Sequence, residues 1–450
     1  MGTRMKLLSV ALALASASLV DQPTTGAGEA SWERAGALLA DGNAREASAA
    51  AQACAGTEPR CALIFARALS GEERFGEVAG TLAAFDGRFG ALEGHAALLA
   101  GELMLVNGRP REAIDRLRSA AALEKQGPVA LRAAALEAEA LLAAEDFAGA
   151  AAQALRAQDL PGQPPDQRAS LAYTHAEAVA AQVPGAPGLR REAALALRSF
   201  WLLHPEHPAA AAVRAQEIGL LAGLAEPGGR DLLVRASRLL SAGKPGAAVA
   251  QAQAAAAVLG GADLAEAQLL YARSLAADGR RTDAARALEI AWKTGTAHVS
   301  AQAGMLFARD RARRGQDADA IRIADELQRR FPGTPEAEEG ALFCARLELD
   351  AGKKPLARLR LAKLAALRRG SNASAARWNL AWLAYAGGEA DAVERFAEFA
   401  ASADSDEDRA QGTYWQARAG KPQAAAGLYR RVASLDPLGW YGLLAREKLG

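Results

Sequence analysis

Leu270-Tyr271-Ala272-Arg273-Ser274-Leu275-Ala276-Ala277-Asp278-Gly279-Arg280-Arg281-Thr282-Asp283-Ala284-Ala285-Arg286-Ala287-Leu288 reads as a helix, a glycine turn and a second helix. A glycine just past a helix end supplies the left-handed backbone conformation that closes it. The same kind of glycine recurs at Gly243, Gly315, Gly352 and Gly388, so that the five stand 36, 36, 37 and 36 residues apart. Alanines keep phase with them. Seven residues before each glycine stand Ala236, Ala272, Ala308, Ala345 and Ala381; five after stand Ala248, Ala284, Ala320, Ala357 and Val393. These are the places where the two helices of a helix–turn–helix unit touch, and small side chains let them approach closely.

A repeat of this length and pattern is of the tetratricopeptide (TPR) type, whose usual period is about 34 residues. Tyr271, Phe307, Leu288, Leu361 and Leu380 fill neighbouring inward positions, and Pro332 and Pro335 mark a link where a helix must stop. One such unit cannot bury its apolar face alone, so neighbours must stack. The expected fold is all-α: a right-handed α-α superhelix, a TPR-like solenoid of helix–turn–helix repeats.

The period loosens on either side. Toward the N-terminus, Gly108-Arg109-Pro110 fits it, with Gly101 seven before and Ala113 five after. Glu145-Asp146-Phe147 falls about one period later, while turns at Asp41-Gly42-Asn43 and Gly71-Glu72-Glu73 are unevenly spaced. Prolines 161, 164, 165, 184 and 187 surround one helix, 167–181, and a second helix, 189–203, ends in His204-Pro205-Glu206-His207-Pro208. Pro227-Gly228-Gly229 is a joint. Toward the C-terminus, Gly388 and Gly420 are 32 residues apart. That unit is short by about one helical turn, which keeps its buried face in phase. The expected organisation is an irregular repeat half over 31–228 and a regular one over 229–450.

A chain of 450 residues exceeds one compact core, yet no break in composition divides it. Half the residues are hydrophobic but only 5% aromatic, and alanine makes the difference; this favours closely packed short helices. Net charge is +1, and the densest basic runs, Arg311-Ala312-Arg313-Arg314 and Arg368-Arg369, are short. No nucleic-acid partner is expected, since a one-sided basic face with interleaved aromatics is not apparent. Arg4 and Lys6 precede an apolar run, 7–15, followed by Ala15-Ser16-Ala17. This reads as a secretory signal over 1–17, too short to span a bilayer, followed by a flexible mature N-terminus over 18–30. Export to the periplasm, with no membrane span after signal removal, is the resulting expectation. Cys54 and Cys61 flank a turn and form either a disulfide or two separate half-buried thiols; their spacing leaves both readings open. Cys344 is left over and packs as a small apolar residue.

Side chains that carry chemistry are sparse. His204 and His207 lie three apart around Glu206, but no second cluster completes a metal site, so they read as an inter-repeat linker and no metal or cofactor is expected. His95, His175 and His298 are isolated. Neither a phosphate loop nor a Gly-x-Ser-x-Gly elbow occurs. The carboxylates Glu338-Glu339 and those over 404–408 belong to solvated helix ends. The aromatic group Trp378, Trp382, Tyr385, Trp415, Trp440 and Tyr441 remains as candidate contacts to a glycan or a partner. Trp378, Trp382 and Tyr385 are four and three apart and share one helix face. Such stripes ordinarily form inter-helix core; exposed members would stack on sugars.

Three C-terminal segments carry a family resemblance: Ala376-Arg377-Trp378-Asn379-Leu380-Ala381-Trp382-Leu383-Ala384-Tyr385, Tyr414-Trp415-Gln416-Ala417-Arg418, and Trp440-Tyr441-Gly442-Leu443-Leu444-Ala445. They resemble the end of the α-superhelical region of soluble lytic murein transglycosylases of the bacterial periplasm. The resemblance covers 375–450; residues 31–374 match only as periodic helices. It implies a scaffold that frames a catalytic domain acting on peptidoglycan, with one glutamate serving as acid and then base. The family places that glutamate in a Glu-Ser pair and follows it with Gly-Leu-Met-Gln. Neither Glu-Ser nor Met-Gln occurs here, so no residue inherits the catalytic role. The expectation is a periplasmic scaffold of this type in peptidoglycan remodelling, a fragment or derivative lacking the catalytic domain, whose partners are peptidoglycan or a catalytic transglycosylase domain. The alternative is a stand-alone TPR-type envelope adaptor that binds other envelope proteins on its concave face.

Overall fold

The computed structural model of the protein describes residues 29–220, 225–367 and 370–450. The signal expected over 1–17 and most of the stretch expected over 18–30 lie outside the described residues, as do Arg368 and Arg369. The chain divides into two compact units, Met1–Ala225 and Glu226–Gly450, with the division beside Pro227-Gly228-Gly229. The fold is all-α, a TPR-like solenoid of helix–turn–helix repeats, with no strand among the described residues.

In the first unit, helices pair as α1 (Glu29–Ala40) with α2 (Ala44–Gln52), α3 (Pro59–Gly71) with α4 (Phe75–Ala83), and α5 (Glu93–Val106) with α6 (Pro110–Leu123). Then come α7 (Pro128–Ala143) with α8 (Phe147–Gln158), α9 (Pro165–Gln182) with α10 (Arg190–Leu203), and α11 (Ala210–Leu220). The second unit pairs α12 (Gly229–Ser241) with α13 (Pro245–Val258), α14 (Gly261–Ala277) with α15 (Arg281–Thr294), and α16 (Ala297–Arg313) with α17 (Asp317–Arg330). It continues with α18 (Pro335–Asp350) and α19 (Lys354–Ala365), α20 (Ser371–Ala386) and α21 (Ala392–Ser402), α22 (Asp406–Ala419) and α23 (Pro422–Leu435), and ends on α24 (Trp440–Leu449).

One local device closes most of these pairs. Gly279 has φ 81°; its N–H donates to the Ala276 carbonyl (3.3 Å) and the Arg280 N–H donates to Leu275 (2.8 Å). This is a Schellman closure, which satisfies two carbonyls at the helix end. The same two bonds and a positive φ recur at Gly243, Gly315, Gly352 and Gly388, and also at Gly42 and Gly108.

The first unit is more regular than its sequence suggests. Glu73 (φ 60°) and Glu145 (φ 64°) occupy the closing position with the same two bonds. At Gly71-Glu72-Glu73 the closing residue is therefore Glu73. Gly71 ends α3, where an added Cβ would stand 2.8 Å from the Ala44 Cβ. Counted from residues 42, 73, 108 and 145, the positions seven before are Ala35, Ala66, Gly101 and Ala138, all buried. Ala47, Ala113 and Ala150, five after, are buried too. The repeat rule holds here, and the departure sits at α9 to α11, where residues 183–189 separate α9 from α10.

Near the C-terminus the rule bends. Val393 is only half-buried and Ala392 is buried beside it, at the start of an α21 of 11 residues against 14 in α13, α15 and α17. Gly420 has φ −84° and ψ −179°, an extended backbone, so the last pair lacks the Schellman closure. The inward phase survives: Tyr429 and Val432, nine and twelve after Gly420, are buried as Leu288 and Ala291 are after Gly279.

Cys54 and Cys61 are joined in a disulfide across the turn from α2 to α3, with a Cα–Cα distance of 5.7 Å. Closing a loop this short removes about 2.5 kcal/mol of unfolded-chain entropy. Among the described residues no helix is long and apolar enough to cross a membrane.

Two predictions test these local devices. Gly279→Ala forces a Cβ into the left-handed region and is expected to destabilise by about 1 kcal/mol, whereas Glu145→Gly relieves that strain and stabilises by roughly 0.5–1 kcal/mol; urea unfolding measures both. If the two substitutions act in the same direction, the equivalence of these turns is wrong. Cys54→Ser/Cys61→Ser is expected to cost the first unit about 2–3 kcal/mol, and a reducing agent should lower the wild-type melting temperature while leaving the variant's unchanged.

Candidate functional site

The aromatic residues converge because the repeat register brings the same face of successive first helices together. Trp378, Trp382 and Tyr385 lie along one face of α20. Trp378 packs inward on Phe396 and Phe399 of α21, at ring distances of 5.6 and 5.3 Å. Trp382 meets the edge of Trp415 on α22 at 4.8 Å, and Tyr385 lies 5.4 Å from the same indole. Tyr414 extends the row to Tyr429 of α23 (5.6 Å) and Tyr441 of α24 (5.5 Å). Backbone approach between α20 and α22 is looser than between the other neighbouring first helices of this unit, and these rings fill the gap.

Five of the six expected aromatics are thus brought together. Trp440 is not: it is 69% exposed and stands apart from the row. Trp382, 40% exposed, is the ring of the group most open to solvent. The Trp415 Nε1 is buried without a hydrogen-bond partner. The Arg418 guanidinium lies 5.8 Å from the Trp415 ring. A hydrogen bond to Tyr385 holds Arg418 above its ordinary pKa, and burial pushes the Tyr429 phenol up, with Tyr414 adding to it. Sequence reasoning missed Phe396, Phe399 and Arg418 as members; Phe396, eight after Gly388, sits where Ala287 and Ile323 sit in earlier repeats, which was the available signal.

A second concavity of about 500 Å³ lies among α17, α18 and α19, lined in part by Leu356, Leu359, Leu367, Arg329 and Lys363. Its floor is Arg360, held 2.8 Å from Glu348 and 2.6 Å from Asp325. Burial opposes the charge of Arg360, but its bonds to Glu348 and Asp325 outweigh that and raise its pKa. Nearby Cys344 is buried, which pushes its thiol up to about 12; a thiol this reluctant to ionise is no nucleophile.

His207 is held by packing. His207 stacks on Tyr173 at 5.3 Å and meets the edge of Phe200 at 5.1 Å, and its Nδ1 accepts the Ala209 N–H. Burial lowers its pKa, with His204 adding to the effect. No group of His, Cys, Asp and Glu among the described residues has the arrangement of a metal site.

No protein-family model matches the chain, and no curated protein matches it either. Among solved structures, the human IFIT1 dimer with PPP-AAAA is 12% identical to this chain, covering 88% of it and 90% of that chain, with a TM-score of 0.36. The APC/C hetero-tetramer Cut9–Hcn1 gives 10% identity over 92% of this chain and 94% of that one, with a TM-score of 0.30. Likeness at this level says nothing about what the present chain binds.

The row is thus a packed seam between repeats with one open ring. Phe396→Ala is expected to cost about 3–5 kcal/mol, as removal of a fully buried aromatic does, whereas Trp382→Ala should cost about 1 kcal/mol or less. Comparable losses in chemical unfolding would mean that Trp382 belongs to the core and is not available to a ligand.

Proposed function

We propose that this protein is a non-catalytic binding scaffold of the cell envelope, an adaptor that holds a partner on the first-helix face of its second unit. The observation that carries this reading is the contrast between two sets of side chains on that face. The alanines at the helix crossings are consumed by folding; Arg273 and Arg346 are exposed, and Trp382, although its edge rests on Trp415, keeps 40% of its surface open. Repeat arrays bind through such surfaces because each repeat contributes one strip of a continuous wall. The Cys54–Cys61 disulfide suits an oxidising compartment, which supports the export read from residues 1–17.

A second reading, favoured by the open indoles of Trp382 and Trp440, is a scaffold of lytic-transglycosylase type in peptidoglycan remodelling, where exposed indoles would stack on sugar rings. It draws on the resemblance of 375–450.

Purified protein incubated with isolated peptidoglycan sacculi is expected to release no soluble muropeptides, measured chromatographically; release would overturn the non-catalytic reading. Co-sedimentation with sacculi that Trp382→Ala or Trp440→Ala abolishes would favour the second reading over the adaptor.

A further inference from the structure

The outward positions of the second helices can be compared within the chain. Four, seven and fifteen residues after the closing glycine stand Asp283, Arg286 and Thr294 on α15, and Asp319, Arg322 and Arg330 on α17. The same places at α19 and the turn after it hold Leu356, Leu359 and Leu367, all three exposed. In the repeats closed by Gly243 and Gly388, only Val258 among these places is large and apolar. α19 already turns Ala357, Leu361 and Leu364 into the core. A helix that is apolar on both faces is one that is covered on both. Folding does not ask for the second apolar face, since Asp and Arg fill it on α15 and α17. The three leucines also line the concavity of about 500 Å³ among α17, α18 and α19.

We propose that this concavity binds one single-chain amphiphile with an anionic head, its alkyl chain against the leucines and its head between Arg329 and Lys363. The proposal goes beyond the adaptor reading, which concerns the first-helix face, and does not depend on it. Arg360 on α19 reaches Asp325 on α17 across the concavity at 2.6 Å. That contact sets the register of the two helices, so that Arg329 and Lys363 stand level about one turn further on. Among the described residues neither cation makes an ion pair or a side-chain hydrogen bond. Of the carboxylates in the lining, Asp325 and Glu348 are neutralised by Arg360. Glu338 lies toward Gly370, where an added Cβ would stand 3.7 Å from its Oε2. The volume falls within the roughly 300–1,000 Å³ of small-molecule sites. Three leucines expose far less than the roughly 1,000 Å² that a stable protein interface buries, which disfavours a docked helix or a second copy.

Titration calorimetry of the full chain with dodecanoate, held below its micelle concentration, tests the inference. One molecule is expected to bind. Octanoate, four methylenes shorter, should bind about a hundredfold more weakly, and dodecyltrimethylammonium at least about tenfold more weakly. Leu356→Gln/Leu359→Gln should weaken dodecanoate binding about tenfold with an unchanged circular dichroism spectrum and melting temperature, since both side chains are exposed. Arg329→Gln/Lys363→Gln should keep the leucines and lose the preference for the anionic head, which tests the site independently of the leucine variant. Trp382→Ala, outside the concavity, should leave binding intact. Equal affinity for the cationic amphiphile, cooperative uptake of many molecules, or indifference to both double variants would each overturn the proposal. So would flotation with phosphatidylglycerol vesicles that the leucine variant abolishes, which assigns the leucines to a membrane surface. A wild-type dimer that the leucine variant makes monomeric would likewise overturn it, in favour of a second copy.

Discussion

The crossing of paired helices, a small residue seven before the turn against another five after it, is the contact from which the remaining geometry follows. Space there is used to the last methyl group. At Gly101 even an alanine Cβ would fall 2.7 Å from the Leu117 side chain; the contact between successive pairs is as tight, since at Gly412 of α22 it would fall 2.8 Å from both Ala400 and Phe399 of α21. Close-packed interiors do not absorb such overlaps without moving a helix. Small residues at the crossing therefore set how near the two axes lie, and that distance decides which longer side chains reach the neighbouring repeat. Low aromatic content follows from the same constraint: an array of tight crossings has few gaps large enough for a ring. The rings of the second unit's last repeats collect between α20 and α22, where the first helices of that unit approach each other least closely.

The second unit was legible in the sequence because its closing residue is glycine and its crossing residue alanine, so turn and contact are both spelled in letters with one dominant use. The first unit was less legible for a specific reason. Glu73 and Glu145 adopt a left-handed backbone that side chains ordinarily avoid, and nothing in their identity announces it. Once they are taken as the closing residues, Ala66 and Ala138 fall into place seven residues earlier. Gly420 misled in the opposite direction, being a glycine at a helix end with an extended backbone. Glycine permits the left-handed turn without requiring it. The Trp440-Tyr441-Gly442 motif has a structural cause of its own, since a Cβ on Gly442 would overlap the Asp436 carbonyl oxygen; its glycine says nothing of a ligand. Of the aromatic candidates, sequence spacing found the face correctly but not which rings stay open, because exposure depends on how far α20 and α22 separate.

Position six before the turn differs from its neighbour in what folding demands of it. Its neighbour at minus seven must be small in every repeat of the series, whereas minus six holds Gly36, Arg67, Glu102, Glu139, Ser237, Arg273, Arg309, Arg346 and Trp382. The pairing across repeats makes the point sharply. In the first unit Glu102, six before its turn, pairs with Arg132, thirteen before the next; in the second, Arg309 and Glu339 occupy the same two places with the charges exchanged. A contact whose polarity reverses while its geometry persists is not what specifies the fold, and ion pairs exposed to this degree contribute about 0–1 kcal/mol. Alanine at minus seven fixes where the side chain at minus six points, and leaves its chemistry free.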